Sequence, residues 1–346
     1  MRKLASIRKI DSIRPIEGAD AIECAIVGGW TVVVKKGEFQ ANDLVIMCEI
    51  DSWIPTALAP FLSKGKEPRE YNGVLGERLR TVKLRGQLSQ GLILPFTAPM
   101  AILIGMGPGD QPTDYIGIDV TEMLGIQKWE APIPAQLAGQ VRGSFPTAVP
   151  KTDQERIQNL TSEFAQWVQD GTQWEVTEKL DGSSCTIYLD NENVLHVCSR
   201  NLDLTRDENN TFWKVVIESG IDQKMHELGM DGYALQGELI GEGVQKNPYG
   251  LKGHTFYLFD IYDTIRGRYV PPEDCRYAAS RLGINHVPLI EAELTLNGSV
   301  DDLLKYAEAK SKLNPNTERE GIVFKRTDGK GSFKAISNKF LLKGGD

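Results

Sequence analysis

The stretch Val176-Thr177-Glu178-Lys179-Leu180-Asp181-Gly182-Ser183-Ser184 constrains this chain most: a short apolar strand runs straight into a lysine, and the lysine into a loop of small residues. That order sets an amine at the floor of a turn tight enough to admit a phosphate. Attack of such an amine on a nucleotide α-phosphorus gives a covalent lysyl-nucleotide, which splits one hard transfer into two easier ones. Asp-Gly between apolar runs is also a hairpin signal, and a lysine beside a turn is ordinarily only solvated. A free lysine has a pKa of about 10.4, so a nucleophilic Lys179 needs neighbours that favour its neutral form, a metal ion on the α-phosphate or a second cation.

Further motifs follow in order: Ser199-Arg200-Asn201, Gly237-Glu238-Leu239-Ile240-Gly241, Phe259-Asp260, Glu320-Gly321-Ile322-Val323-Phe324-Lys325, and Lys334. With Lys179-Leu180-Asp181-Gly182 at its head, this series resembles that of the covalent nucleotidyltransferases, which include RNA and DNA ligases and mRNA capping enzymes. Thr177-Glu178-Lys179 and the amino-terminal region resemble ATP-dependent RNA ligases of the Deinococcus and Naegleria type, which carry an OB domain ahead of the transferase domain. The resemblance spans nearly the whole chain.

The resemblance implies a role for each motif residue. Lys179 is the nucleophile, and Lys334 contacts the α-phosphate. Glu178 helps recognise the adenine edge, Phe259 stacks on the base, and Arg200 binds ribose or the RNA 5′-phosphate. Arg156 reaches the nucleotide phosphates, and Lys325 matches a family lysine, although strand alternation sets it on the face opposite Glu320. Many relatives repeat lysine two residues after Lys334; here the residue is Ile336, which leaves Lys339 or Lys343 as substitutes. Asp181, Glu238 and Glu320 offer hard oxygen ligands suited to Mg²⁺ or Mn²⁺, held largely through the ion's waters. The alternatives are a turn role for Asp181 and exposed strand positions for the two glutamates. For Glu238, flanked by Gly237 and Gly241, the glycines suggest close approach of a ligand.

Residues 1–125 read as all-β, with strands over Ala25–Lys36 around a Gly-Gly turn, Asp43–Ile50, Leu79–Arg85 and Gly91–Pro95. Five short strands between Gly, Asn and Asp turns fit an OB-like β-barrel. Arg78, Arg80, Lys83 and Arg85 form its densest basic cluster, beside Tyr71. That pairing suits a groove tracking an RNA backbone, and equally a charged edge strand that blocks pairing. A Pro- and Gly-rich linker is expected over 126–150, with a transferase domain over 151–346. Thr152 and Glu155 read as the capping box of a helix running to about 169. Strands are expected near 174–179, 184–189, 193–199, 233–241, 254–262, 319–325 and 332–336. Helices near 210–228, 272–282 and 299–313 interrupt them, an α+β pattern with antiparallel sheets. No Walker-type or Rossmann glycine loop occurs.

A formal net charge of −8 argues against a generally nucleic-acid-coating protein and leaves a local basic groove open. Five scattered cysteines, without a zinc-site spacing to the four histidines, and no run of 18 apolar residues point to a reduced cytoplasmic protein with no membrane segment, and no obligate protein partner is evident. The expected activity is RNA sealing with ATP and Mg²⁺ or Mn²⁺, on RNA with 5′-phosphate and 3′-OH ends, expected as a nicked duplex. The alternatives are a GTP-dependent capping guanylyltransferase and an inactive OB-type nucleic-acid-binding protein. Capping enzymes carry their OB domain after the last lysine motif, where only Ala335–Asp346 remains here, and Glu178 favours adenine.

Overall fold

The computed structural model describes residues 3–130, 140–190 and 192–343, so Pro132, Pro134 and Gly139 of the expected linker lie outside the described residues. The chain divides into two compact units, residues 1–132 and 133–345.

Alternation builds the first unit. In Trp30–Lys35 the residues Trp30, Val32 and Val34 are buried and those between them are not, the pattern of a strand with one covered face. This strand pairs with Ile22–Val27, which pairs in turn with Ser12–Pro15. Leu44–Glu49 lies between Ala5–Lys9 and Gly91–Pro95 and serves two cores. Met47 joins Trp30 and Val32 on one face, while Ile46 and Cys48 join Ile7 and Ile54 on the other. Among the described residues the strands form four small antiparallel sheets rather than one closed ladder.

The strand expected over Leu79–Arg85 is two elements. Val74–Arg78 ends where Leu79 turns inward, its N–H bonded to the Ser52 carbonyl and its carbonyl to the Asp51 N–H. Val82–Leu84 then pairs with Gln87–Ser89 across an Arg85-Gly86 turn, both residues at positive φ (49° and 84°), which matches the twist of a tight hairpin.

The second unit holds two sheets, antiparallel except for two short parallel pairings. The larger runs in the order 141–144, 202–204, 195–198, 183–189, 233–241, 254–263, 268–269, with 285–286 beside 254–263. Helices Thr211–Ser219, Ile221–Glu227 and Pro272–Leu282 cover it over Ile187, Leu235, Leu258, Trp213 and Met225. The smaller sheet runs 155–156, 332–336, 321–326, 173–179, 289–295. Phe333 stacks on Phe324 at 4.5 Å and meets Trp174 edge-on at 4.9 Å. Each such contact adds about 0.5–1.5 kcal/mol beyond area burial. This aromatic cluster fixes three adjacent strands, those carrying Lys179, Lys334 and the residue after Glu320.

Three local expectations differ. The helix expected from Thr152 begins at Thr161. Thr152 bonds to the Ser184 hydroxyl, and Glu155 accepts from its neighbour's N–H and from Asn159, so the two do not form a capping box. The helix expected over 299–313 stops at Ala307, where the Arg319 guanidinium binds the carbonyls of Tyr306 and Ala307. Leu289–Thr295 is an unanticipated, largely exposed strand paired with the lysine strand.

Candidate active site

Lys179 is the last residue of the strand Gln173–Lys179, which is buried over most of its length. Its Nζ donates to Glu320 Oε2 at 2.7 Å. Burial pulls this amine toward its neutral form, but Glu320, Glu238 and Asp181 together outweigh burial and hold its pKa above the usual lysine value.

The three acids expected to converge do so. Asp181 is pushed up to about 6 by burial and by the Glu320 charge, with Lys179 opposing. Glu238 rises to about 8 through burial, with Glu320 and Asp181 adding to it and Lys179 opposing. The turn that holds them close depends on glycine: a Cβ on Gly182 would lie 2.5 Å from the Leu239 carbonyl oxygen and 2.9 Å from Cγ of Glu238. Gly237 answers to packing rather than to a ligand, since the Phe256 ring and the Tyr257 carbonyl occupy the place a side chain would take. Among the described residues no group of three or more His, Cys, Asp or Glu is arranged to ligate a metal directly. Carboxylates spaced around an ammonium suit an ion held through its waters.

Arg156 and Lys334 are register partners in the parallel pairing of Glu155–Arg156 with Phe333–Lys334. Arg156 is therefore a buried strand residue rather than a helix-surface arginine. Ile336 is buried opposite Gly321. The two lysines that stood as its substitutes have acidic partners, Lys339 with Glu308 at 3.3 Å and Lys343 with Glu318 at 3.1 Å.

Glu178 is buried and accepts the Lys312 N–H at 2.8 Å and the Ser311 hydroxyl. Burial raises its pKa, with these hydrogen bonds and the charges of Arg319 and Lys312 opposing. Its Oε1 is buried with no partner, a lone acceptor available to a ligand donor. Phe259 packs partly buried beside Leu180, Ile240, Tyr249 and Val287. Arg200 is exposed and bonds Asp153 at 2.7 Å.

Lys325 is buried, ion-paired with Asp260 at 2.8 Å, and donates to the Phe259 carbonyl. Across the ladder from it, Glu175 is buried in an ion pair with Arg276. In the first unit Arg78 also differs from its basic neighbours, pairing with Asp51 at 2.5 Å and lying 3.9 Å over the Trp129 ring, while Arg80, Lys83 and Arg85 are exposed.

Sequence reasoning missed Tyr249, whose hydroxyl accepts the Asp181 N–H at 2.6 Å, and the Ser311–Lys312 and Arg319 partners of Glu178. Only the Asn247-Pro248-Tyr249-Gly250 turn signal marked any of this surrounding.

Among known families, the RNA ligase model matches residues 172–340 and an OB-fold domain model matches residues 4–96. A structure of a mutant of Naegleria gruberi RNA ligase with AMP and Mn aligns with a TM-score of 0.87 and 44% identity, covering 99% of each chain. This chain belongs to the RNA ligase family. A mutant of the same Naegleria ligase with ATP and Mn aligns at 0.86 and 44% identity over 99% of each chain, and the ligase with PPi at 0.86 and 45% over 100% of each. No curated protein matches. The architecture is α+β, an OB-type unit followed by an antiparallel-sheet ligase unit. The capping-enzyme and inactive-binder alternatives are not favoured.

Proposed function

We propose that the protein is an ATP-dependent RNA ligase that joins 5′-phosphate and 3′-OH ends through a covalent lysyl-AMP at Lys179. The observation that carries this reading is the setting of Lys179: a strand-end amine 2.7 Å from Glu320 and within the fields of Asp181 and Glu238. It sits in a chain alike along its whole length to the Naegleria gruberi RNA ligase, seen with AMP and Mn, with ATP and Mn, and with PPi.

In the first step Lys179 gives up a proton, its Nζ bonds to the α-phosphorus of ATP, and the bond from that phosphorus to the bridging oxygen breaks. Pyrophosphate leaves and the nitrogen loses a second proton. An oxygen of the RNA 5′-phosphate then attacks the same phosphorus and the lysine nitrogen departs. Finally a 3′-OH attacks the activated 5′-phosphate and AMP leaves. One site serves all three steps because each is an in-line displacement at phosphorus with developing charge to offset.

Mg²⁺ or Mn²⁺, when bound, supplies positive charge that offsets the carboxylates and polarises the phosphate. Asp181, Glu238 and Glu320 would hold it largely through water. Lys334 and Arg156, side by side in their ladder, are assigned to the phosphates. Glu178 is assigned to the adenine amino group through its unpartnered oxygen, Phe259 to the base face, and Arg200 to ribose or the RNA 5′-phosphate. Lys325 is assigned to structure. The exposed Arg80, Lys83 and Arg85 are assigned to the RNA backbone, a nicked duplex being the substrate. Five free, buried cysteines support a reducing, cytoplasmic setting. Among the described residues no helix is long and apolar enough to cross a membrane.

The test is a nicked RNA duplex with a 5′-phosphate. The wild-type protein seals it with ATP and not with GTP. Lys179→Ala fails on the phosphorylated nick yet joins a pre-adenylylated strand without ATP, because the last step needs no nucleophilic lysine. Equal sealing of both substrates by the variant, or a preference for GTP, overturns the assignment.

A further inference from the structure

We infer that Tyr249 is a positioning residue for this reaction, its hydroxyl holding the Asp181-Gly182 turn where lysyl-AMP formation requires it. The inference rests on the reaction proposed above.

Lys179 leaves its strand directly into this turn, so the turn sets both the path of the nucleophile and the place of the Asp181 carboxylate. One side of the turn is packed against the strand of Glu238 and Leu239, where a Cβ on Gly182 has no room. The other side is held by the loop 242–253. Tyr249 accepts the Asp181 N–H at 2.6 Å, and the Gln245 side-chain amide donates to the Gly182 carbonyl at 3.4 Å. Two backbone groups of the turn are thus satisfied by side chains of a single loop rather than by a sheet neighbour.

That loop is braced at some cost. Gln245, Lys246 and Asn247 all lie in the left-handed region, with φ of 44°, 60° and 50°, a run that non-glycine residues adopt only when surroundings impose it. The Asn247 side chain closes the loop by bonding both the N–H (3.1 Å) and the carbonyl (2.8 Å) of Leu251. Asn314 donates to the Pro248 carbonyl at 2.9 Å and ties the loop to the segment whose Lys312 N–H binds Glu178. The Tyr249 ring is buried among Leu180, Ile240 and Val287. Phenylalanine satisfies that packing equally well; only the hydroxyl reaches Asp181. In-line attack is sensitive to placement, about 1 Å of displacement costing on the order of 100-fold in rate.

The experiment is single-turnover lysyl-AMP formation by Tyr249→Phe and wild type across ATP concentrations at saturating Mg²⁺, with thermal unfolding of both. The expected result is a rate at saturating ATP lowered about tenfold, the scale of a buried N–H left without its partner. The ATP concentration for half-maximal rate stays at the wild-type value, and the unfolding temperature falls by only about 2–4 °C, since the same unpartnered N–H also weakens the folded state. A purely structural tyrosine lowers the unfolding temperature and leaves the rate at saturating ATP unchanged, and such a wild-type rate in Tyr249→Phe overturns the inference. Should Tyr249→Phe lose more stability than this, Asn314→Ala loosens the loop without touching the ring and must show the same loss of rate at unchanged ATP dependence; a wild-type rate there overturns it as well. A wild-type protein that forms no lysyl-AMP removes the assigned reaction, and this inference with it, whereas adduct formation unaltered by the variants removes the inference alone.

Discussion

Replacing Lys325 with methionine should destabilise the ligase unit while sparing the shape of its core. Lys325 and Asp260 are 2.8 Å apart, with side chains 6% and 13% exposed, so salt and solvent screen them far less than a surface pair. At an effective dielectric of 20 the pair attracts by about 6 kcal/mol, most of which repays desolvation of the two ions. Removing one partner leaves the other buried and uncompensated, at a cost of about 3–5 kcal/mol. Burial already lifts the Asp260 pKa and Lys325 opposes that lift, so the variant's Asp260 should take up a proton as the less costly escape. The double variant Lys325→Met, Asp260→Leu removes both charges and should recover most of the loss. Urea unfolding of the wild type, both single variants and the double variant gives the coupling energy from one cycle. Single-variant stabilities within about 1 kcal/mol of wild type, or a double variant no better than the sum of its parts, would refute the reasoning.

Four further outcomes are expected. His286 is held down to about 4 by burial, aided by the charges of Lys325 and Arg276, against an ordinary value of 6.5. Its unfolded form binds the proton first, so its contribution is intact above pH 6.5 and is lost as pH falls toward 4, by at most about 1.4 kcal/mol per pH unit; urea midpoints of wild type and His286→Gln between pH 7.5 and 5 should show a shallower acid loss in the variant. Glu238→Ala and Glu320→Ala should each abolish nucleotide transfer while circular dichroism stays native, and full activity in either removes that residue from the site. Arg80→Ala, Lys83→Ala and Arg85→Ala should weaken RNA binding, each reducing the salt slope by about 0.9 on a duplex, as read by fluorescence anisotropy across salt concentrations. Arg78→Ala should instead destabilise the first unit, since its guanidinium serves Asp51 and Trp129, and a calorimetric scan that leaves that transition unmoved would contradict the assignment.

The chemistry of the site was legible because its motifs are local: a strand, a lysine and a turn are consecutive in Val176–Ser184, and the carboxylates sit beside glycines that the turn and sheet demand. Long-range pairing was not legible. Thr152 and Glu155 carry a valid local signature for a helix start, yet Arg156 is drawn into a ladder with Lys334, 178 positions later, and tertiary pairing overrides the local preference. Lys325 matched a motif, but only the fold shows that its face meets Asp260. The end of the helix at Ala307 depends on Arg319, twelve residues beyond it. Leu289–Thr295 did carry a strand signal, Ile290, Ala292 and Leu294 alternating with Glu291, Glu293 and Thr295, and Ile290 and Leu294 pack on the core from this edge strand. The Arg85-Gly86 turn split a basic segment that reads as continuous, because arginine at positive φ leaves no sequence signal.

The most direct test of the central claim is the intact mass of the AMP-free protein after incubation with ATP and Mg²⁺, beside GTP and beside Lys179→Ala. The account predicts a gain of one AMP from ATP alone, absent in the variant. A wild-type mass that does not change, or an adduct that persists in Lys179→Ala, would contradict it.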